Sequence, residues 1–295
     1  MGTTKTGCWI EAMRLRTLPV SLAGVAAACG YAVADGCFRA APAALCAAFA
    51  VLAQIASNFA NEYYDYTAGL DRAGREGPRR GVTEGDITPR AMLRATYATL
   101  GLACMTGLSL VAWGGWWLVI AGVFIALGAL AYSTGPYPLA RNGWGEVAVV
   151  VFFGVVPVCL TYYVQSGTCT PDVALGSVAI GLMGANVLIV NNYRDCDDDR
   201  AVGKLTLAVR CGRPVARALY LVDGIVAVAL TIPEWHTMPM VARLIVPLGY
   251  LVAHTALWLA LGKRHGRAIN PLLGMTAMLM LAYALGFLTC AIVTN

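Results

Sequence analysis

Apolar residues run in long blocks along this chain, and short polar segments separate the blocks. Nine blocks approach the ~20 residues that a bilayer-crossing helix requires. They cover 17–34, 42–62, 91–112, 115–133, 146–165, 173–193, 214–232, 240–261 and 271–291. None keeps the polar face by which a helix of a soluble protein meets water. The third and fourth meet at "WGGWW" (113–117), a tight turn whose tryptophans suit a membrane interface. The expected fold class is all-α and membrane-integral, with nine transmembrane helices.

Composition agrees: 59% of the 295 residues are hydrophobic and 13% charged, where soluble domains carry about a quarter charged. Charge then orients the bundle. Nine spans divide the polar segments between two sides, and of the 21 Lys and Arg all but Arg39 and Arg243 fall on the side of the N-terminus. That asymmetry makes the first side cytoplasmic and puts the C-terminus outside, in a multi-pass protein of the cell (inner) membrane. The opening residues do not read as a cleavable signal. The ten cysteines are scattered without a C-x-x-C pair and read as buried thiols, not as a metal site or disulfide framework.

The acids are unevenly placed. Ten of the sixteen Asp and Glu lie in two clusters, "NEYYDYTAGLD" (61–71) with its downstream loop, and "NNYRDCDDDR" (191–200). Both follow even-numbered apolar spans, and "NEYYD" overlays "NNYRD" at an offset of 130, which suggests a duplicated four-helix unit plus one helix. Residues four apart share a helical face, so Asn61 projects with Asp65 and Asp195 with Asp199. Asp197 points elsewhere, and Asp71 can join the first pair only if the helix ends near Gly69. Carboxylates gathered at a membrane boundary need compensating cations. Mg²⁺ fits, because it takes one or two carboxylates and completes its shell with water and phosphate oxygens. Glu76, Glu84 and Asp86 read as ordinary solvated ion pairs. Asp223 and His254, isolated within apolar spans, read as structural hydrogen-bonding groups.

At these residues the chain resembles the UbiA superfamily of membrane prenyltransferases, and within it the 1,4-dihydroxy-2-naphthoate polyprenyltransferase branch. The resemblance rests on the two acidic motifs, "GPRRG" (77–81), "GKLTLAVRCG" (203–212), "RLRTLP" (14–19) and "YSTGPYPLARNGWGE" (132–146). Glu62 stands where the pattern usually has Asp, and Leu15 where Pro is common. The resemblance implies one UbiA-type transmembrane domain over residues 1–295. It implies transfer of a polyprenyl group from polyprenyl diphosphate to 1,4-dihydroxy-2-naphthoate, with loss of CO2 and diphosphate, to give demethylmenaquinone. Membrane lipid is an expected partner and nucleic acid is not.

On that reading Asn61, Asp65 and Asp71 hold one Mg²⁺, and Asp195 and Asp199 hold the other. Lys204, Arg79 and Arg141, then Arg72, Arg80 and Arg210, serve the diphosphate. Arg14 or Arg194 serves the naphthoate carboxylate. Tyr63, Tyr132 and Tyr193 are candidates for the ring pocket, and Glu146 for a base or an orienting group. Asp65, Asp195, Lys204 and Glu146 are the expected catalytic set. The alternatives are a UbiA-type enzyme acting on another acceptor, such as 4-hydroxybenzoate or homogentisate, and, more distantly, a cation-coupled transporter. A transporter would place its acids nearer the bilayer midplane.

Overall fold

A computed structural model describes residues 4–71, 76–235 and 238–295, and among them there is no β-strand. A short helix α1 (Lys5–Met13) precedes the apolar spans. The spans form α2 (Leu18–Ala34), α3 (Ala40–Thr67), α4 (Pro89–Ser109, prolonged by a turn at Val111–Gly114), α5 (Trp117–Ser133), α6 (Gly145–Ser166), α7 (Pro171–Ala201), α8 (Leu207–Trp235), α9 (Met240–Lys263) and α10 (Asn270–Thr294). Eight of these are long and apolar enough to cross a membrane, and α5 adds a shorter apolar helix. The nine-helix expectation therefore holds. The α1 helix had no counterpart in the hydropathy pattern, because its apolar residues cover only two turns.

The two motif helices overrun the hydropathy blocks. At 1.5 Å per residue the 28 residues of α3 reach about 42 Å, well beyond a ~30 Å hydrocarbon core. The surplus turns carry Asn61 and Asp65. Adding 130 to the bounds of α3 gives 170–197, against 171–201 for α7, so the offset of the motifs is also that of the helices. The α7 helix is about one turn longer. Both end in the same way: Gly69 and Gly203 take φ of +69° and +76°. There the amides of Leu70 and Lys204 turn back onto the carbonyls of Asp65 and Asp199, each at 2.9 Å. This is a Schellman cap, for which glycine supplies the left-handed residue. It ends α3 before Asp71.

Packing is closest where side chains are smallest. A β-carbon on Gly154 would lie 2.4 Å from the Gly181 Cα and from the Ser177 carbonyl, so α6 and α7 touch backbone to backbone. Residues Val150–Val155 of α6 form a π-helical segment beside this contact. Because rigid backbone sits on both sides, Gly154→Ala is expected to destabilise the fold by about 3 kcal/mol. A lowered thermal midpoint in detergent would show it, with Gly101→Ala, which meets open space inside α4, as the control that does not destabilise. The main core joins α2, α7, α8 and α10 through residues such as Met183, Tyr220, Met280 and Phe287. His254 lies fully buried in it, its ring stacked 4.6 Å from Tyr220 and 5.5 Å from Tyr250. Its Nε2 lies 3.4 Å from the Leu221 carbonyl oxygen, and the sequence reading held it to be a structural hydrogen-bonding group.

Candidate active site

Asn61 and Asp65 do share a face of α3, with Asn61 Nδ2 3.3 Å from Asp65 Oδ2. Asp65 is 2% exposed and gathers cations from two other segments. Lys204 Nζ, just beyond α7, lies 2.9 Å from its Oδ2, and Arg141 Nη2, between α5 and α6, lies 3.4 Å from its Oδ1. Asn61 Oδ1 accepts from Arg14 at 2.6 Å and from Arg80 at 3.2 Å. Arg80 also faces Asp71 at 3.5 Å, so Asp71 joins the first set through the loop. Four cations thus converge on the first acidic set.

Arg14 reaches this place by an uncommon route. It is the sole non-glycine residue with positive φ among the described residues, at 52°, where α1 turns into α2. A left-handed L-residue costs on the order of 1 kcal/mol. The same turn aims its guanidinium at Asn61.

The second set lies on α7. Asp195, 1% exposed, is held through both oxygens by the Arg194 fork at 2.7 Å each, and Asp199 Oδ2 lies 3.5 Å from Thr206 Oγ1. Two links bring this set to the first. Lys204 bridges 139 residues to Asp65, and the Leu205 amide donates to the Arg141 carbonyl at 2.8 Å. Glu146, Arg14, Asp65 and Asp199 all lie within electrostatic reach of the Tyr132 hydroxyl. Glu146 is itself fixed by Asn192 Nδ2 at 2.8 Å.

Several candidates are directed elsewhere. Arg79 pairs with Asp86 at 2.5 Å, which also raises its pKa and makes Asp86 the solvated partner expected of it. Arg210 is exposed and donates to the Leu205 carbonyl at 3.1 Å, bracing the loop. Arg194 is buried against Asp195. Tyr63 and Tyr193 stand two residues before Asp65 and Asp195 and so face away from them. Tyr63 packs edge-on to Tyr64 at 5.0 Å, and Tyr193 lies in the core under Arg213. Arg72 lies outside the described residues.

Sequence reasoning missed three participants. Glu62, 1% exposed, accepts from the Val82 amide at 3.0 Å and so clamps the loop that carries Arg80. Its signal was the carboxylate kept where the motif usually has Asp. Asn192 and Ser133 position Glu146 and Asn61 across segment boundaries, and no local pattern marks them.

Beneath the carboxylates, an apolar cavity of about 300 Å³ runs between α2, α3, α4, α5 and α6. It is lined from Ser57 and Tyr132 near the acidic sets to Leu118 and Val164 at the far end. From Leu118 to Tyr132, fourteen steps along α5, the distance is about 21 Å. Gly122 lines it midway and would meet nothing within 4 Å if it carried a β-carbon.

The donor set suits a hard divalent cation. Among the described residues no group of three or more His, Cys, Asp or Glu could hold a metal alone. Asn61 with Asp65, and Asp195 with Asp199, would leave most of an octahedral shell to water and phosphate oxygens, as Mg²⁺ prefers. The cations present could then receive a polyanion. Arg141 Nε, buried and without a hydrogen-bond partner among the described residues, offers one donor already in place.

Comparison with known proteins points the same way. A model described as the UbiA prenyltransferase family matches residues 21–272. The chain is 38% identical over 236 residues to the 1,4-dihydroxy-2-naphthoate octaprenyltransferase of Escherichia coli (strain K12), covering 77% of each chain. It is 36% identical over 283 residues, 94% of each chain, to the protein of that description from Mycobacterium tuberculosis. Its fold is similar to that of a UbiA homolog from Archaeoglobus fulgidus solved bound to GPP and Mg²⁺, with a TM-score of 0.69 and 15% identity over 96% of this chain and 99% of that one. A nine-helix bundle with two acidic helix ends, matched by the family model over most of its length, leads to one assignment: the chain belongs to the UbiA prenyltransferase family.

Proposed function

We propose that the protein transfers a polyprenyl group from polyprenyl diphosphate to 1,4-dihydroxy-2-naphthoate, releasing diphosphate and CO2 and yielding the hydroquinone form of demethylmenaquinone. The observation that carries this reading is the contact of Lys204 with Asp65, which joins two acidic motifs 130 residues apart into one site with surplus cations. The relatives named for this acceptor support the choice of naphthoate.

Asn61, Asp65 and Asp71 would hold one Mg²⁺, and Asp195 and Asp199 the other. Bound there, Mg²⁺ supplies electrostatic stabilisation of the charge that develops on a departing diphosphate. Lys204, Arg141 and Arg80 take diphosphate oxygens as these displace the carboxylates now facing them. The allylic C–O bond breaks with its electron pair leaving on the diphosphate oxygen. The ring carbon that bears the carboxylate attacks the allylic carbon, and the carboxylate departs as CO2, returning its bonding pair to the ring. Arg14 orients that carboxylate before it leaves. Tyr132 and the Asn192-fixed Glu146 shape the face on which the ring lies. The acidic sets face the cytoplasm.

The cavity along α5 receives the isoprenoid tail. Phenylalanine at position 122 would block it about 15 Å beyond Tyr132, counting ten residues at 1.5 Å. Gly122→Phe is therefore expected to cut the rate with octaprenyl diphosphate about tenfold or more, while sparing geranyl diphosphate. Equal loss with both donors would count against this tail path.

The function itself is tested by incubating purified protein with Mg²⁺, octaprenyl diphosphate and a panel of aromatic acids. Prenylated, decarboxylated product from the dihydroxynaphthoate, lost on adding EDTA, supports the reading. Preferred use of 4-hydroxybenzoate or homogentisate would refute the acceptor assignment.

A further inference from the structure

The start of α10 reaches the second acidic set, although the sequence there carries no motif. Arg194 is 2% exposed, and its fork holds both Asp195 oxygens. Nη2 also donates to Asn191 Oδ1 at 2.8 Å, while Nη1 donates to Asn270 Oδ1 at 2.9 Å. The same Asn270 donates from Nδ2 to the Glu76 carbonyl at 3.3 Å. A guanidinium can only donate and a carbonyl only accept, so one orientation of the Asn270 amide serves both partners. The Glu76 amide in turn donates to Asp198 at 3.2 Å. One side chain on the last helix therefore touches the Asp195 clamp and the loop that follows the first acidic set.

A carboxylate has about four lone-pair positions, and the Arg194 fork takes one on each oxygen. Where the other lone pairs point is set by the rotation of the carboxylate plane. Arg194 has the reach to rotate that plane, and Asn270 Oδ1 is what anchors its outer nitrogen. We propose that Asn270 is a positioning residue for the second acidic set, fixing Arg194 and through it the Asp195 carboxylate, and tying both to the loop at Glu76. The proposal rests on Asp195 being a metal ligand. Groups that orient metal ligands commonly govern affinity by 10–100-fold.

The test is Mn²⁺ binding to the purified full-length protein, followed by electron paramagnetic resonance with an unreactive prenyl thiolodiphosphate present. No turnover is involved. Asn270→Ala is expected to weaken Mn²⁺ binding about tenfold. Its thermal midpoint should fall no further than that of Thr276→Ala, which breaks the α10 contact with Tyr220 at 3.1 Å away from the site. Thr276→Ala should leave Mn²⁺ affinity unchanged. Wild-type affinity in Asn270→Ala, or equal weakening in Thr276→Ala, would overturn the positioning role. Asp195→Asn separates the two levels: if it weakens binding while Asn270→Ala does not, only the inference fails. If neither does, the metal assignment fails with it.

Discussion

Asp65→Asn is expected to lower kcat by about 10³-fold while leaving a folded, monodisperse protein. Asn matches Asp in shape, so the packing around this 2%-exposed side chain survives. The charge does not. Lys204 at 2.9 Å and Arg141 at 3.4 Å lose their shared counter-ion, and the proposed first Mg²⁺ site loses its Asp65 carboxylate. Stabilising the leaving diphosphate through a bound cation contributes several kcal/mol, and about 4 kcal/mol corresponds to roughly 10³ in rate. Raising Mg²⁺ should recover little of the activity. Steady-state assays across Mg²⁺ concentrations check this, and a variant within tenfold of wild type would remove Asp65 from the centre of the mechanism.

Lys204→Met is the second large effect. Met keeps the length and apolar stem of Lys, and Gly203 keeps the turn that returns residue 204 to α7. What is lost is the cation that reaches across to Asp65. In the free protein this leaves Asp65 with Arg141 and Asn61, so stability should change modestly. In the reaction it removes one donor from the departing diphosphate, an effect of about 10²–10³ in kcat. The KM for the aromatic acceptor should hold, because Arg14 and the Tyr132 face are untouched. A raised acceptor KM with unchanged kcat would place Lys204 at the acceptor instead.

Much of this site was legible because its logic is local. The i, i+4 spacing put Asn61 beside Asp65, where the structure has them 3.3 Å apart. The same periodicity turned Asp197 outward, where it is 70% exposed and pairs with Arg200 and Arg213. The nine spans followed from hydropathy, but their ends did not, since the motif turns are helical and polar at once. The direction taken by each arginine was the least legible feature. Arg79 and Arg80 are neighbours in sequence, yet one turns to Asp86 and the other to Asp71, where Glu62 holds the Val82 amide of the loop that carries them. Such choices depend on contacts made across the fold. Asn270, 76 residues from Arg194, shows the same limit.

The most direct measurement is an anomalous difference map of the protein crystallised with Mn²⁺ and an unreactive prenyl thiolodiphosphate. Two peaks are expected, one against Asn61 and Asp65 and one against Asp195 and Asp199, with the diphosphate between them and Lys204 drawn onto its oxygens. A map with no peak at either acidic set, or with the diphosphate bound away from Lys204 and Arg141, would contradict a metal–diphosphate site built from the two motifs.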